Sequence, residues 1–362
     1  LKKICILGAG NGGQALAGHL ASLGHEIVLF EHPEFIRNVE KLKLTKQIKL
    51  SGYLELTGEI DRLTSDPGKA VQGADIIYFA APAFAQRPIL EMVAPYLESG
   101  QTIVLIPGNF GSLTFSKWLN DNDYDIDISI IETDTLPYAC RIVEPGNIDI
   151  WGMKEYISAA ALPSTSTEKS LEVISATFPV PLVKAPNVIA IGLYNTNMIL
   201  HCPTMVMNAG RIETSNGNFS FYKDGMSPSV CKVMEEMDRE RIAVGKALGI
   251  ELLSTEDDMK QIYGLEGTSL REVILNNPVY CDHGMDAPKK LLHRYLEEDV
   301  PFLLVPVSSM ADKLGIPTPA INNIIYLAGV INGTDYFRRG PGIEDLGFRE
   351  LNIDEMIKRV NG

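Results

Sequence analysis

Near the start of the chain, Gly8-Ala9-Gly10-Asn11-Gly12-Gly13 places Gly8, Gly10 and Gly13 in the pattern G-x-G-x-x-G. That spacing suits phosphate binding because glycine lacks a Cβ. At Gly8 this permits a tight turn, at Gly10 a close approach of backbone to pyrophosphate, and at Gly13 close packing of helix on sheet. The acid expected about twenty residues on falls at Glu31, where a carboxylate accepts from adenosine ribose hydroxyls and repels a 2′-phosphate. NAD(H) is therefore favoured, NADP(H) stays open, and FAD is a lesser alternative. The alternative is that Glu31 is an ordinary solvated acid at a strand end. In open α/β sheets ligands bind at the carboxyl ends of strands, which adds Ala80-Ala81-Pro82 and Ile106-Pro107-Gly108-Asn109 to the crevice. The expected cofactor-binding residues are Gly8, Gly10, Asn11, Gly12, Gly13, Glu31, Pro82 and Asn109.

Two further constellations lie in the second half. In the apolar run from Asn195 to Asn208, the residues Asn197, His201, Thr204 and Asn208 recur at i, i+4, i+7 and i+11, one face of a helix. Buried polar groups are costly unless bonded. Such a stripe lines either a ligand cleft or a packed hydrogen-bond network, and spacing alone does not choose. The other is Leu292-His293-Arg294-Tyr295-Leu296-Glu297-Glu298-Asp299-Val300-Pro301, which read alone is a solvated helix face with an Arg294–Glu298 pair.

The elements that must position these residues change character along the chain. Short β-branched runs at 3–7, 26–30, 75–80, 102–106 and 127–131 alternate with amphipathic stretches, implying a parallel sheet with helices on both faces. Between Gln47 and Thr64 the alternation around Ser51-Gly52 suggests a β-hairpin appended to that sheet. After Pro179, Pro181 and Pro186 the strand signals nearly vanish, and 188–210, 228–249, 256–276, 286–297, 301–314 and 318–332 read as helices. The expected organisation is an α/β Rossmann-like domain over 1–187 and an all-α domain over 188–362.

Composition narrows the class. A chain of 362 residues with 45% hydrophobic and 22% charged residues is an ordinary globular protein of about two domains. Its formal charge of −14 argues against a nucleic-acid or anionic-membrane partner. Neither a signal peptide nor a membrane span is expected. The cysteines Cys5, Cys140, Cys202, Cys231 and Cys281 are widely spaced without C-x-x-C, so no metal site or disulfide framework is expected and a cytoplasmic location fits.

The chain resembles the opine dehydrogenases, the octopine/nopaline dehydrogenase family, over nearly its whole length. The likeness lies in Gly8 to Gly13, Glu132-Thr133 with Cys140-Arg141, Asn195 to Asn208, Arg294-Tyr295 with Glu298-Asp299-Val300, and Leu314-Gly315-Ile316-Pro317-Thr318-Pro319. The resemblance implies a Rossmann domain, a C-terminal helical domain like that of 6-phosphogluconate dehydrogenase, and an active site in the cleft between them. It implies reductive condensation of an L-amino acid's amine with a 2-oxo acid such as pyruvate. By motif position, His201 is the acid/base residue, Asp299 its carboxylate partner, and Arg294 the clamp for the oxo acid carboxylate. Asn197 would meet the substrate carbonyl or the nicotinamide amide, and Glu132 the amino-acid ammonium, or else Glu132 is a strand-end carboxylate satisfied by backbone.

Physical chemistry agrees with these implied roles. An imidazole titrates near ~6.5, a carboxylate on its second nitrogen fixes the tautomer, and a guanidinium fork suits a carboxylate better than a lysine does. His283 and His293 are further candidate substrate contacts. Two other readings stand beside this one. A ketopantoate or 2-hydroxy acid reductase on the same scaffold would be supported by a lysine in 188–210 where this chain has His201; none is there. The second is a non-catalytic, NAD-binding regulatory protein. The helical half is also a candidate for homodimerisation.

Overall fold

A computed structural model describes residues 1–281 and 286–362 of the chain, so His283 lies outside the described residues. Two compact units are present: Leu1–Gly192 together with Lys358–Gly362, and Leu193–Ile357.

The first unit is built on an eight-stranded sheet. Its strands are β1 (Lys3–Leu7), β2 (Glu26–Phe30), β5 (Arg62–Thr64), β6 (Ile76–Phe79), β7 (Thr102–Leu105), β8 (Ser129–Thr133), β11 (Ile157–Leu162) and β12 (Leu182–Lys184), in the order β12-β11-β8-β7-β6-β1-β2-β5. All neighbours are parallel except β8 and β11. Alternation along each strand sends side chains to opposite faces. Ile4, Ile6, Ile76 and Tyr78 join one hydrophobic core, while Cys5, Leu7, Ile77 and Phe79 join the other. Sequence order reverses at β1, which lies between β2 and β6; this is the switch point at which doubly wound sheets open a crevice.

The expected hairpin forms but does not extend the main sheet. Strands β3 (Gln47–Gly52) and β4 (Leu56–Glu59) pair antiparallel, and β3 also pairs β10 (Asn147–Met153), which pairs β9 (Tyr138–Glu144). This four-stranded sheet lies on helix α1 (Asn11–Ser22) through glycines. A Cβ on Gly18 would come within 2.7 Å of Ile48, and one on Gly58 within 2.1 Å of the Gly18 carbonyl. The strand expected at 127–131 runs Ser129–Thr133 and is followed by β9, β10 and β11 instead of a helix. Gly146, with φ +90, turns the chain between β9 and β10, an appended meander that the parallel-sheet reading did not contain.

The second unit is helical; among its described residues the only β pairing is an isolated bridge between Ser220 and Asp286. The helices Pro228–Ala247, Val305–Leu314 and Pro319–Asn332 follow the expected ranges closely. Others are shorter. The 188–210 stretch breaks at Asn195, whose Oδ1 accepts from the Asn197 N–H at 3.2 Å and so competes with the helix ladder. The 256–276 stretch ends its first helix at Gly264, at φ +61. Of 286–297 only Arg294–Glu297 is helical, Pro288 standing in the irregular segment before it.

Buried charges brace this unit. Arg241, 1% exposed, donates to Asp238 and to the Leu193 and Leu253 carbonyls. Glu240 accepts from Ala320 and Ile321 at the start of Pro319–Asn332.

Candidate active site

In the first unit the glycine turn joins β1 to α1. Gly8 has φ +103, and a Cβ there would lie 2.8 Å from Ala81 Cβ. A Cβ on Gly13 would lie 1.8 Å from the Gly8 carbonyl oxygen, so helix and strand pack with no room for a side chain. Gly12 closes on Leu136 in the same way, at 2.7 Å. Gly10 differs. It is exposed, its φ of −76 suits any residue, and a Cβ on it would meet nothing within 4 Å. Protein packing therefore does not require glycine at this position; the absent side chain leaves open space in front of the N-terminus of α1, where a pyrophosphate would lie.

Polar groups hold this cradle in shape. Glu31, half-buried at the end of β2, accepts from the Ala9 N–H at 3.0 Å and from its own neighbour His32 at 2.8 Å. Asn11 accepts from Ile142 N–H, and Gln14 donates to the Ala9 carbonyl and accepts from Gly146 N–H, tying the turn to the small sheet. Gln14 was not singled out by the fingerprint, since it falls outside the pattern. These residues fit a dinucleotide.

The neighbouring strand ends behave differently from one another. Pro82 is exposed just beyond β6. Asn109 is 4% exposed in the left-handed conformation, φ 52, as is Phe110 at φ 64. Their loop is clamped by Gln86, which donates to the Pro107 and Gly108 carbonyls, and by Glu132. Glu132 is fully buried, and its carboxylate accepts from Phe110 N–H, Ser112 N–H and the Ser112 hydroxyl. Burial pushes its carboxyl up to about 7 against the pull of those donors. Both oxygens accept inside the protein, so Glu132 braces the Pro107–Ser112 loop, the arrangement of the backbone-satisfied alternative.

In the second unit four local elements converge on His201. The helix Asn197–Met207 carries the imidazole, and Asp299 precedes the π-helical turn Val300–Leu304. The single turn Arg294–Glu297 presents Arg294 and Tyr295, and a second π-helical turn, Phe221–Gly225, presents Tyr222. His201 Nδ1 lies 2.8 Å from Asp299 Oδ2, both side chains being buried, and Nε2 lies 3.2 Å from the Tyr222 hydroxyl. The Tyr295 ring stacks on the imidazole, centroids 3.8 Å apart and planes 21° from parallel.

The polar stripe divides between its two readings. Thr204 donates to the Leu200 carbonyl, and Asn208 donates to the Thr204 and Gly225 carbonyls, so the later half is a packed network. The earlier half holds His201 and, one turn before it, the partly exposed Asn197. Arg294 is 50% exposed, with Nε 3.3 Å from the buried Glu298 carboxylate. It keeps the expected i,i+4 pair while staying within reach of a ligand. His293 caps its turn, Nδ1 accepting from Tyr295 N–H at 3.3 Å.

Aromatic groups were missed by the sequence reading. Tyr222 stacks on Tyr280 at 4.2 Å, and the Tyr280 and Tyr263 hydroxyls lie 3.4 Å apart. Burial, then Tyr295, Tyr263 and Asp299, hold the Tyr222 phenol well above its usual range, so its O–H stays neutral. Tyr295 adjoins a recognised arginine and had a signal; Tyr222 sits in a loop of no periodicity and had none.

Comparison with known proteins gives a consistent result. Residues 184–332 match a family described as NAD/NADP octopine/nopaline dehydrogenase, alpha-helical domain, and residues 3–132 match the NAD-dependent glycerol-3-phosphate dehydrogenase N-terminus. An opine dehydrogenase of Arthrobacter sp. (strain 1C) is 33% identical over 97% of this chain and 96% of its own. Among solved structures, octopine dehydrogenase in complex with NADH and agmatine superposes with a TM-score of 0.80 at 20% identity, covering 99% of this chain and 98% of that one. An NADP+-bound yersinopine dehydrogenase gives 0.75 at 15% identity, covering 99% and 98%. At such identities the structures bear on the fold, which they share end to end.

Proposed function

Since this chain belongs to the octopine/nopaline dehydrogenase family of opine dehydrogenases, we propose that it joins the amine of an L-amino acid to a 2-oxo acid such as pyruvate, reduces the imine with NADH, and runs the reverse oxidation. It is an oxidoreductase acting on CH–NH donors, with NAD(H) as the favoured cofactor and NADP(H) the alternative. The observation that carries the reading of the site is the buried His201–Asp299 pair, with Arg294 on the turn just before Asp299.

The first unit supplies the cofactor cradle. Gly8, Gly10, Asn11, Gly12 and Gly13 would hold the pyrophosphate at the start of α1, Glu31 the adenosine ribose, and Pro82 would border the crevice, while buried Asn109 shapes its loop. When bound, the nicotinamide supplies the hydride.

In the second unit the proton chemistry falls to His201. The Arg294 guanidinium takes the oxo acid carboxylate, a pairing of fixed fork geometry. Attack by the amine makes a carbinolamine. His201 Nε2 gives its proton to the carbinolamine hydroxyl as the C–O bond breaks; water leaves, and the nitrogen lone pair forms the C=N bond of a protonated imine. Asp299 on Nδ1 keeps Nε2 as the exchanging nitrogen and stabilises the ring while it is charged. Asn197, one turn earlier, is assigned to the substrate oxygen.

The competing readings have less support. The helix offers His201 paired with Asp299 where a reductase of the other type would offer lysine, and an intact acid/base pair argues against a purely regulatory chain. The test follows loss of reduced nicotinamide with pyruvate, with and without a pool of L-amino acids. Oxidation that needs both supports the proposal, and subdividing the pool identifies the amine. Oxidation with the oxo acid alone moves the assignment to a 2-hydroxy acid dehydrogenase. Binding of NADH with no turnover on any pairing supports the regulatory reading.

A further inference from the structure

His201 is held at both ring nitrogens, and only one of the two partners belongs to a recognised motif. Asp299 takes Nδ1 at 2.8 Å; the hydroxyl of Tyr222 takes Nε2 at 3.2 Å. The groups facing the ring are Asp299 and Tyr222 at its edges, Tyr295 stacked on one face, and Phe221, tilted at 6.0 Å. Cys202, next in the chain, points its thiol to the Tyr295 carbonyl, and Arg294 and Glu298 pair with each other. Tyr222 is itself 4% exposed and fixed by its stack on Tyr280. It is thus a buried phenol placed on the nitrogen that must exchange the proton.

We propose that Tyr222 is a positioning residue of the reaction: its hydroxyl donates to His201 Nε2 when the ring is neutral, and when the ring is charged it accepts from Nε2–H, sharing that hydrogen with the carbinolamine hydroxyl that takes the proton. A phenol can do both by rotating its O–H, and its neutrality at working pH keeps both options open. The ring therefore keeps one plane through the cycle, whichever protonation state it holds. The inference rests on the assignment of His201 as the acid/base group.

Tyr222→Phe deletes one oxygen and leaves the ring that stacks on Tyr280. A hydrogen bond to a charged group is about twice as strong as one between neutral groups, so the loss falls harder on the charged imidazole. Where the general acid must be charged, the alkaline fall of kcat/KM should move down by roughly half to one pH unit. At neutral pH kcat should drop roughly tenfold to a hundredfold, while KM for either substrate changes less than threefold.

The chain alone gives a second readout, nitrogen-15 NMR of the histidine rings. In the wild type, neutral His201 should be the Nδ1–H tautomer with Nε2 a hydrogen-bonded acceptor; in Tyr222→Phe, Nε2 should shift to the position of an unbonded acceptor. An Nε2–H tautomer in the wild type overturns the proposal even if the variant does not fold. So does an active wild type whose kcat and alkaline limb are unchanged by Tyr222→Phe. A wild type inactive with every pairing of oxo acid and amine would instead refute the functional reading, and the nitrogen spectrum would still decide the role of Tyr222.

Discussion

Replacing Asp299 by asparagine keeps the size of the side chain and removes its charge from a site where both partners are buried and 2.8 Å apart. Removing one partner of a buried pair costs roughly 3–5 kcal/mol. An asparagine carbonyl accepting from Nδ1–H would restore an ordinary hydrogen bond, about 1 kcal/mol. The remaining deficit, roughly 2–4 kcal/mol, applies when His201 is charged, which is the form that releases the proton. At about 1.4 kcal/mol per decade this predicts a loss in kcat of roughly 30-fold to 1,000-fold. Steady-state rates with saturating oxo acid and amino acid give kcat, and fluorescence titration gives the NADH dissociation constant. The latter is set by the glycine turn and should stay within about twofold. A variant of unchanged melting temperature whose kcat lies within threefold of wild type would show that the carboxylate does not support the acid/base step, and the assignment of the pair would fail.

Three other outcomes are expected. Arg294→Lys should raise KM for the oxo acid by roughly tenfold, the loss of one good charge-assisted bond, and change KM for the amino acid much less; equal changes in both would remove Arg294 as the clamp. Gly10→Ala should leave the melting temperature unchanged and weaken NADH binding, since its Cβ meets no protein atom, whereas Gly13→Ala should destabilise the first unit, its Cβ falling 1.8 Å from the Gly8 oxygen. Equal melting temperatures for the two variants would contradict this account of the turn. Glu132, pushed up to about 7 from a free value near 4.5, favours the folded state fully below pH 4.5 and loses that contribution as pH rises through 7. The swing is about 3 kcal/mol. Urea midpoints measured from pH 5 to 8 should fall for the wild type and fall less for Glu132→Gln; parallel slopes would show that another group carries the dependence.

What the sequence made legible depended on whether local rules governed it. The fingerprint was readable because the turn it makes is local, Gly13 packing on Gly8 five residues before it and Gly8 taking φ +103, although the Ala81 that crowds Gly8 lies far along the chain; the buried strands β1, β6 and β7 read as apolar runs because both of their faces are covered. The small sheet was not readable in full. Its β3–β10 pairing joins residues about a hundred apart, and nothing in Gln47–Gly52 alone indicates that its free edge is taken by Asn147–Met153 rather than by the main sheet. Helix ends failed where side chains intervened, as at Asn195, and where glycine in the left-handed conformation stopped the ladder, as at Gly264. Glu132 shows the limit of motif position: the three donors that converge on it, from a loop some twenty residues earlier, have no signal in the sequence.

On the proposed reading, the two units divide the chemistry according to what each kind of element can hold still. A dinucleotide is recognised along its length by backbone, so the first unit needs little more than a turn without side chains and a carboxylate at a strand end. Proton transfer needs one side chain fixed in orientation at a single atom. The second unit meets that need with two π-helical turns and one isolated helical turn, which bring Tyr222, Asp299 and Tyr295 against one imidazole from three directions. A single helix presents its side chains to a neighbour from one side only, so two edges and a face of the ring must be met by separate elements. Two of those elements are π-helical: Phe221–Gly225 carries Tyr222, and Val300–Leu304 follows Asp299 directly. On this argument, substitutions that restore a regular α-helix across Val300–Leu304 should lower kcat more than they lower stability, because they would rotate Asp299 away from Nδ1 while leaving the apolar side chains of that turn buried.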